Sequence, residues 1–280
     1  MAACLQRDGI PIKESKLLRF APDSRGVTFK VEGAAPERLE QPVERKPEWK
    51  DSYRPNFIKG RSTEVFAMKR AEDVVAIQRY FIDRGQYRNA LYVVMSVNMG
   101  LRGLDMVNLR WCDILDNSGA LKPEDEAYIF EHKTGKKRHL ILNQDVVDAL
   151  RMYIDKTHIV PQLSNSEHPH YWIFPKQNGV RTYRGKDTEM HISRMSIGRI
   201  LKKAARDVGI KYNVNTHTLR KTFGYRLYKN GTPIEAIQRI FNHSSTLMTE
   251  RYIGLTLDEQ VGYIEDLESI LVRMDENEEE

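Results

Sequence analysis

The residues of this chain that could act on a phosphodiester are concentrated in its last third. His217 and Arg220 stand three residues apart at the start of an expected helix, and that spacing brings two side chains towards one helix face. His243 falls between two expected helices, and Tyr252 follows it nine residues later. Upstream, Arg102 lies in the turn Gly-Leu-Arg-Gly-Leu-Asp. Each residue alone is common by chance, so the information is in their order along the chain.

This order resembles the catalytic pattern of the tyrosine recombinase, or phage integrase, family over about residues 62–265. In chain order the matching residues are Arg102, Lys133, His217, Arg220, His243 and Tyr252. The neighbouring letters agree, since GLRGLD leads into LRWCDI, KTGK forms an expected hairpin turn, and NHS precedes the tyrosine. The resemblance implies double-stranded DNA as the partner. It also implies a homo-tetramer on DNA, in which the C-terminal helix packs on a neighbouring subunit.

Elementary chemistry agrees with that pattern. Cleaving a DNA phosphodiester without a metal requires positive charge on the phosphate oxygens, and Arg102 and Arg220 can supply it through planar donor forks. The Tyr252 hydroxyl, with a reference pKa of ~10, can attack phosphorus and later act as a leaving group. Tyr263 lies eleven residues further on, in a stretch that is better suited to packing. We therefore predict Tyr252 as the nucleophile.

The remaining residues of the pattern can move protons. Lys133, expected on a mobile hairpin tip, can protonate the leaving 5′ oxygen, although its neighbours Lys136 and Lys137 could replace it. His217 is expected to help remove the tyrosine proton, and His243 to hydrogen-bond the scissile phosphate. A separate acid, Asp105, either orients Arg102 or occupies the first turn of its helix, where a negative charge is favourable.

Absent motifs narrow the class of enzyme. No glycine-rich loop ends in Lys-Ser or Lys-Thr, so ATP hydrolysis is not expected. The eight histidines are dispersed, and the two cysteines, Cys4 and Cys112, are too few for a disulfide scaffold or a multi-cysteine zinc site. We predict no cofactor and no metal, because a phosphotyrosyl ester retains the bond energy needed for rejoining.

Composition is typical of a globular protein, and the mildly basic charge permits an acidic partner such as nucleic acid. The hydrophobic fraction is 40%, the net charge is +5 and the sequence pI is about 9.0. No stretch approaches the ~18 apolar residues of a membrane span, and the N-terminus lacks the apolar core of a signal peptide. We expect a soluble cytoplasmic protein without a membrane partner, associated with the nucleoid if the source is prokaryotic.

Hydrophobic periodicity predicts a mainly α fold with a small antiparallel β-sheet, an α+β arrangement. Helices are expected at about residues 62–84, 88–99, 106–109, 143–154, 196–208, 219–230, 233–241, 246–252 and 258–272. Two β-prone runs at 127–133 and 137–142 surround a glycine turn and predict a hairpin. A long loop is expected over 161–195.

The chain divides into three parts by composition. Residues 1–60 hold six of the eleven prolines and predict an irregular arm, with one short strand at Val27–Val31. Residues 61–272 are expected to form the catalytic domain, and residues 273–280 an acidic tail. The arm stands where the family usually carries a helical DNA-clamping domain, so we expect that clamp to be missing or reduced.

The leading functional hypothesis is a site-specific recombinase that cuts and rejoins DNA through a 3′-phosphotyrosyl intermediate, in integration, excision or resolution. One alternative is a type IB topoisomerase-like enzyme that relaxes supercoils. Another is a catalytically weak DNA-binding relative that acts as a regulator. The filled catalytic positions favour an enzyme, and the reduced clamp favours the regulator.

Overall fold

The computed structural model describes residues 27–35, 65–165, 168–176 and 191–255. Its helices are α1 (Ala71–Ile82), α2 (Tyr87–Met99), α3 (Gly103–Val107), α4 (Trp111–Ile114), α5 (Gln144–Thr157), α6 (Arg194–Asp207), α7 (Thr216–Lys229), α8 (Ile234–Phe241) and α9 (Thr246–Ile253). Two strands, β1 (Tyr128–Phe130) and β2 (Lys137–His139), form an antiparallel hairpin, and Pro169–Tyr171 form a 3₁₀ turn. The predicted fold class, mainly helical with a small antiparallel sheet, is confirmed.

Helix α2 is the centre of the main core. Every residue from Asn89 to Val97 is buried, because α1, α5 and α7 pack around it on different sides. A helix that is apolar on most of its circumference is stable in water only when it is enclosed in this way. The same core includes residues of α3, α4 and α6, so it supports the elements that carry Arg102.

The end of α2 is fixed by a glycine, as predicted. Gly100 has a φ of 61°, in the left-handed region that a C-terminal cap requires. A Cβ atom at this position would lie 2.1 Å from a ring carbon of Phe223 on α7. The close approach of α7 to this turn therefore also depends on glycine. This contact brings the loop before α3 against the first half of α7.

A second apolar cluster lies at the C-terminal side of the fold. Its buried members are Ala67, Tyr225, Ile237, Phe241 and Ile253, and we call it the C-terminal cluster. It is formed where α7, α8 and α9 pack together. A Cβ at Gly224 would lie 2.5 Å from the Phe241 ring, so a glycine on α7 allows α8 to approach closely.

Several predicted boundaries differ from the structure. Helix α1 begins at Ala71, and residues 65–70 are not helical. Leu109 lies outside α3, and α6 begins two residues early because the Ser193 side chain accepts a hydrogen bond from the Ser196 amide. The loop predicted over 161–195 contains the 3₁₀ turn and isolated bridges in its described part. The predicted helix at 258–272, Tyr263 and the acidic tail lie outside the described residues.

The short strand predicted at Val27–Val31 is replaced by single bridges. Thr28 pairs with Ala120 and Glu32 with Gln162, on two different neighbouring segments, so no continuous ladder forms. Phe29 between them is buried in the main core. This part of the arm therefore contributes to the packed domain although it has no regular structure. Among the residues that the structure describes, none of the helices combines the length and the apolar character needed to cross a bilayer.

Candidate active site

Arg102 lies at the N-cap of α3, where the chain leaves the Gly100 turn. Its NH1 atom is 2.6 Å from a carboxylate oxygen of Glu131, and only 20% of its side chain is exposed. Helix α3 lies so close to the start of α7 that a Cβ at Gly103 would be only 2.7 Å from the Thr216 hydroxyl. Arg102 is thereby brought towards the N-terminal turns of α7.

The hairpin turn is bonded to α3 at two points. Glu131 is buried and pairs with Arg102, and Asp105 accepts hydrogen bonds from the backbone N–H and from Nδ1 of His132, both at 2.9 Å. Lys133 follows directly and is exposed. Of the two functions predicted for Asp105, its place in the first turn of α3 is observed, whereas the partner of Arg102 is Glu131. The turn is docked rather than free.

The turn and the second strand of the hairpin contact the ends of two helices. Lys136 Nζ donates to Asn242 Oδ1 at 2.8 Å, beside His243. Arg138 donates to the carbonyl of Ile240 and, at 3.2 Å, to that of Met99. Carbonyls at helix C-termini have no partner within the helix, so these cations satisfy them. Lys136 and Arg138 thereby link the hairpin to the segment that precedes the tyrosine.

Arg220 is the most buried of the predicted catalytic side chains. It is 3% exposed, donates to the Gly100 carbonyl and to the Phe241 carbonyl at 3.3 Å, and its guanidinium lies 4.5 Å from the centre of the Phe241 ring. Burial lowers its pKa, and the charges of Arg102 and Arg138 act in the same direction. An arginine pKa is high enough that the group remains charged at neutral pH.

Tyr252 lies on α9, half-buried beside aromatic and cationic neighbours. Its ring centre is 5.0 Å from that of His243 and 5.3 Å from that of Phe241, and Lys221 Nζ lies 5.1 Å from it. Burial raises the pKa of the Tyr252 hydroxyl, while a hydrogen bond and the charge of Arg220 oppose that rise. The hydroxyl is therefore protonated at neutral pH and needs a proton acceptor before it can attack.

The Thr249 hydroxyl lies between two groups, 3.1 Å from Nδ1 of His243 and 3.2 Å from the Ser245 carbonyl. When the hydroxyl donates to that carbonyl, it accepts from Nδ1. Burial lowers the pKa of His243 to about 4, and the charges of Arg220 and Arg102 contribute. In the resulting neutral ring, Nδ1 carries the proton and Nε2 is an acceptor.

His217 lies at the exposed start of α7. Its pKa is lowered by partial loss of solvent and by the charges of Arg194, Arg220, Lys221 and Arg102. Neutral histidine is therefore favoured here as well. Arg194 begins α6 and, like Lys221, was not among the residues predicted for the site.

The structure brings most of the predicted set into one neighbourhood. The charges of Arg102 and Arg220 act on both histidines and on Tyr252. Lys133 lies on the hairpin that is bonded to Arg102. Within residues 27–35, 65–165, 168–176 and 191–255, no three His, Cys, Asp or Glu side chains are grouped as a metal ion would require.

Sequence reasoning missed Glu131, Arg138 and Thr249. One signal was available for Glu131, because an acid at the end of the run Ala-Tyr-Ile-Phe is unusual in a half-buried strand and indicates a buried partner. For Arg138 no local signal existed, since its partners are backbone carbonyls at the ends of two other helices. Thr249 contacts nearby residues, His243 and Ser245, but its residue type alone does not indicate this role.

Comparison with known proteins decides the family. Residues 66–258 match the model of the phage integrase family. The chain belongs to this family. It is 28% identical to the probable integrase/recombinase YoeC of Bacillus subtilis over 67% of this chain and 88% of that protein. It is 24% identical to a tyrosine recombinase of Thermosipho africanus over 70% of this chain and 60% of that protein.

A solved structure has the same fold. The XerA recombinase superimposes with a TM-score of 0.52 at 21% identity, over 76% of this chain and 66% of that one. The chain spans about half the length of some curated relatives, for example 46% of the tyrosine recombinase XerD of Listeria monocytogenes. The family predicted from the sequence is confirmed, and the chain is a member of a family of DNA-cutting and DNA-rejoining enzymes.

Proposed function

We propose that this chain is a site-specific recombinase that cuts and rejoins double-stranded DNA through a covalent bond to Tyr252. The observation that supports this most strongly is the cluster around the tyrosine. A protonated hydroxyl lies beside the neutral ring of His243, and the charges of Arg220 and Arg102 are close enough to lower its pKa. These are a nucleophile, a base and two phosphate-binding cations.

The cleavage step follows from those positions. Arg102 and Arg220 bind the non-bridging oxygens of the scissile phosphate and stabilise the charge that develops in the transition state. The Tyr252 oxygen attacks phosphorus, and the bond from phosphorus to the 5′ oxygen breaks. A 3′-phosphotyrosyl ester and a free 5′ hydroxyl result. Attack of a 5′ hydroxyl from a second strand reverses the chemistry and releases Tyr252.

We propose that His243, rather than His217, accepts the proton of the Tyr252 hydroxyl when the hydroxyl attacks phosphorus. The Nε2 atom of neutral His243 has a free lone pair, and its ring contacts the tyrosine ring. A neutral Nε2 cannot donate to a phosphate oxygen until it has taken up a proton. The hydrogen bond to the scissile phosphate that was first expected for His243 can therefore form only after His243 has accepted the tyrosine proton. His217, close to Arg194 and Lys221, is assigned to the phosphate side of the site.

We assign the acid that protonates the 5′ oxygen to Lys133. Lys136 donates to Asn242, and Lys137 Nζ lies 4.0 Å from the centre of the Tyr128 ring. Both alternatives predicted from the sequence therefore have another partner. Lys133 is exposed at the turn, next to the residues that bind Arg102 and Asp105.

Strand exchange is favoured over relaxation and over a purely regulatory role. Proteins similar to this chain are named recombinase or integrase, and this chain has a matching residue at all six positions of the catalytic pattern. Similar structures include a XerH recombinase bound to its palindromic DNA substrate. By analogy we propose double-stranded DNA as the partner. The tetramer formed through residues 258–272 and the cytoplasmic location stay predictions.

The test is covalent trapping. The full chain is incubated with supercoiled DNA that carries its native genomic flanks, with a chelator present, and quenched in detergent. We expect protein joined to a 3′ DNA end, absent in Tyr252→Phe and retained in Tyr228→Phe, which removes another half-buried tyrosine hydroxyl next to the C-terminal cluster. Loss in both variants, or retention in Tyr252→Phe, would contradict the assignment. Recombinant products rather than relaxed topoisomers would distinguish exchange from relaxation.

A further inference from the structure

Glu131 is a buried carboxylate with two partners at the edge of the site. Its Oε2 atom lies 2.6 Å from NH1 of Arg102 and 2.7 Å from the Thr134 hydroxyl, which donates to it. Only 4% of Glu131 is exposed. A carboxylate in this position is costly to bury unless it is paired, and Arg102 and Thr134 offset that cost.

The pair fixes the direction of a phosphate-binding group. A guanidinium has five N–H donors in one plane. NH1 has no hydrogen-bond partner among the described residues, so its contact with Glu131 is an ion pair that holds this end of the guanidinium and leaves the other donors for a ligand. About a fifth of the Arg102 side chain is exposed. Glu131 contacts NH1, which is buried, so the exposed part of Arg102 is not the part that Glu131 holds.

The same carboxylate also holds the hairpin turn. Thr134 is bound to Glu131, and His132 is bound to Asp105 on α3. Lys133 lies between these two residues. The position of Lys133 relative to Arg102 is thus set by bonds on both sides of it. A shift of Glu131 would move both groups at once.

We propose that Glu131 is a positioning residue for strand cleavage, which orients Arg102 on the scissile phosphate and fixes the turn that carries Lys133. This inference rests on the proposed function and adds a residue to it. Glu131 does not touch the substrate. It acts through Arg102, and its negative charge reduces the positive charge that faces DNA.

Positioning and electrostatics predict different effects on the cleavage rate, although neither predicts weaker DNA binding. If the charge of Glu131 mattered only for attraction, removing it would strengthen DNA binding and leave or raise the cleavage rate. If Glu131 positions Arg102, removing its charge slows cleavage while DNA binding stays equal or becomes tighter. The two quantities must therefore be measured separately.

The experiment uses the full chain and single-turnover formation of the Tyr252 adduct. For Glu131→Gln we expect a cleavage rate lower by about 10- to 100-fold, with a Kd for DNA no weaker than wild type. Asp125→Asn removes an exposed acid before β1 and serves as the charge control. Thr134→Val removes one partner of Glu131 at an exposed residue and is expected to slow cleavage by about threefold. This milder variant keeps the test decisive if Glu131→Gln is unstable.

A double-mutant cycle tests whether Glu131 acts through Arg102. We expect Glu131→Gln to slow cleavage much less in an Arg102→Lys background than in wild type, because the oriented fork is already lost. A general structural defect would give the same loss in both backgrounds. Equal losses, or a wild-type rate in Glu131→Gln, would overturn the inference.

The controls separate this inference from the proposed function. If the wild-type chain forms the adduct and Glu131→Gln forms it at the same rate, only the inference is contradicted. A wild-type chain that binds DNA but forms no adduct contradicts the proposed function, and the inference with it. Thermal unfolding of each variant is followed in parallel. If Glu131→Gln cleaves slowly only because it is partly unfolded, and Thr134→Val cleaves at the wild-type rate, positioning is contradicted.

Discussion

The two sides of the proposed site rest on very different amounts of packing. Arg102 and the hairpin are supported by the main core, which extends through α1 to α7. His243 and Tyr252 are supported by the C-terminal cluster, which has five buried members among the residues up to 255 that the structure describes. Regions with fewer buried apolar contacts open at lower free energy. Within the described residues, the phosphate-binding side therefore has more packing support than the nucleophile side.

Arg220 connects the two sides. It donates to the Gly100 carbonyl at the end of α2 and to the Phe241 carbonyl at the end of α8. Arg138 makes a parallel connection through Met99 and Ile240. Phosphate binding and the position of the tyrosine are therefore linked through buried guanidinium groups.

The largest effect is expected from removing that connection. Arg220→Ala deletes a phosphate donor and both carbonyl contacts, and we expect adduct formation to fall by about 10²- to 10³-fold. Arg226→Ala is the matched control, since Arg226 lies on the same helix and donates to the Val97 carbonyl at 2.9 Å. Its adduct rate should stay within about twofold of wild type. Similar losses in both variants would assign the effect to the helix rather than to the site.

Two phenylalanines provide the next test, because one lies in each region. Phe174 is fully buried in the main core, and Phe241 is fully buried in the C-terminal cluster. Each change to alanine should cost about 3–5 kcal/mol. For Phe174→Ala we expect the loss in the global free energy of unfolding. For Phe241→Ala we expect it mainly as faster amide hydrogen exchange in α8 and α9. Identical exchange patterns would show that the two regions unfold as one unit.

The hairpin lysines test the phosphate-binding side. Lys133→Ala should slow cleavage by about 10²-fold, and Lys136→Ala by less than about fivefold. The measurement is adduct formation on a DNA with a 5′-bridging oxygen and on one with sulfur in its place. A sulfur leaving group needs little protonation, so it should restore the rate of Lys133→Ala. A larger defect in Lys136→Ala would move the acid to that residue.

Local chemistry explains what could be predicted from the sequence. The end of α2 follows from Gly100, and the hairpin from two β-prone runs around KTGK. The candidate site residues follow from residue types in a characteristic order. What could not be predicted are contacts between distant elements. The pairing of Glu131 with Arg102 and of Arg138 with two helix ends depends on packing, and sequence spacing contains no information about it.

The same limit applies to pKa values and to the arm. The tautomer of His243 depends on which group receives the Thr249 hydrogen, and the two candidate acceptors come together only in the folded chain. The alternating pattern of Val27–Val31 is typical of a strand, but each of the two neighbouring segments forms only one β-bridge with this part of the chain. Strand formation requires a partner of matching length, which the local pattern does not reveal.

The smallest expected effect concerns the pH dependence of stability on the nucleophile side. The pKa of His243 is lowered to about 4 in the folded chain, whereas an unfolded histidine titrates near ~6.5. Between these values the unfolded state binds more protons, so the free energy of unfolding must fall as pH falls from 6.5 towards 4. His217 acts in the same direction because its pKa is also lowered. We expect His243→Gln to reduce the loss in Tm between pH 7 and pH 5 by a few degrees. If wild type and His243→Gln lose the same Tm, the ring is not held neutral beside Tyr252, and the assignment of His243 as the base must be abandoned.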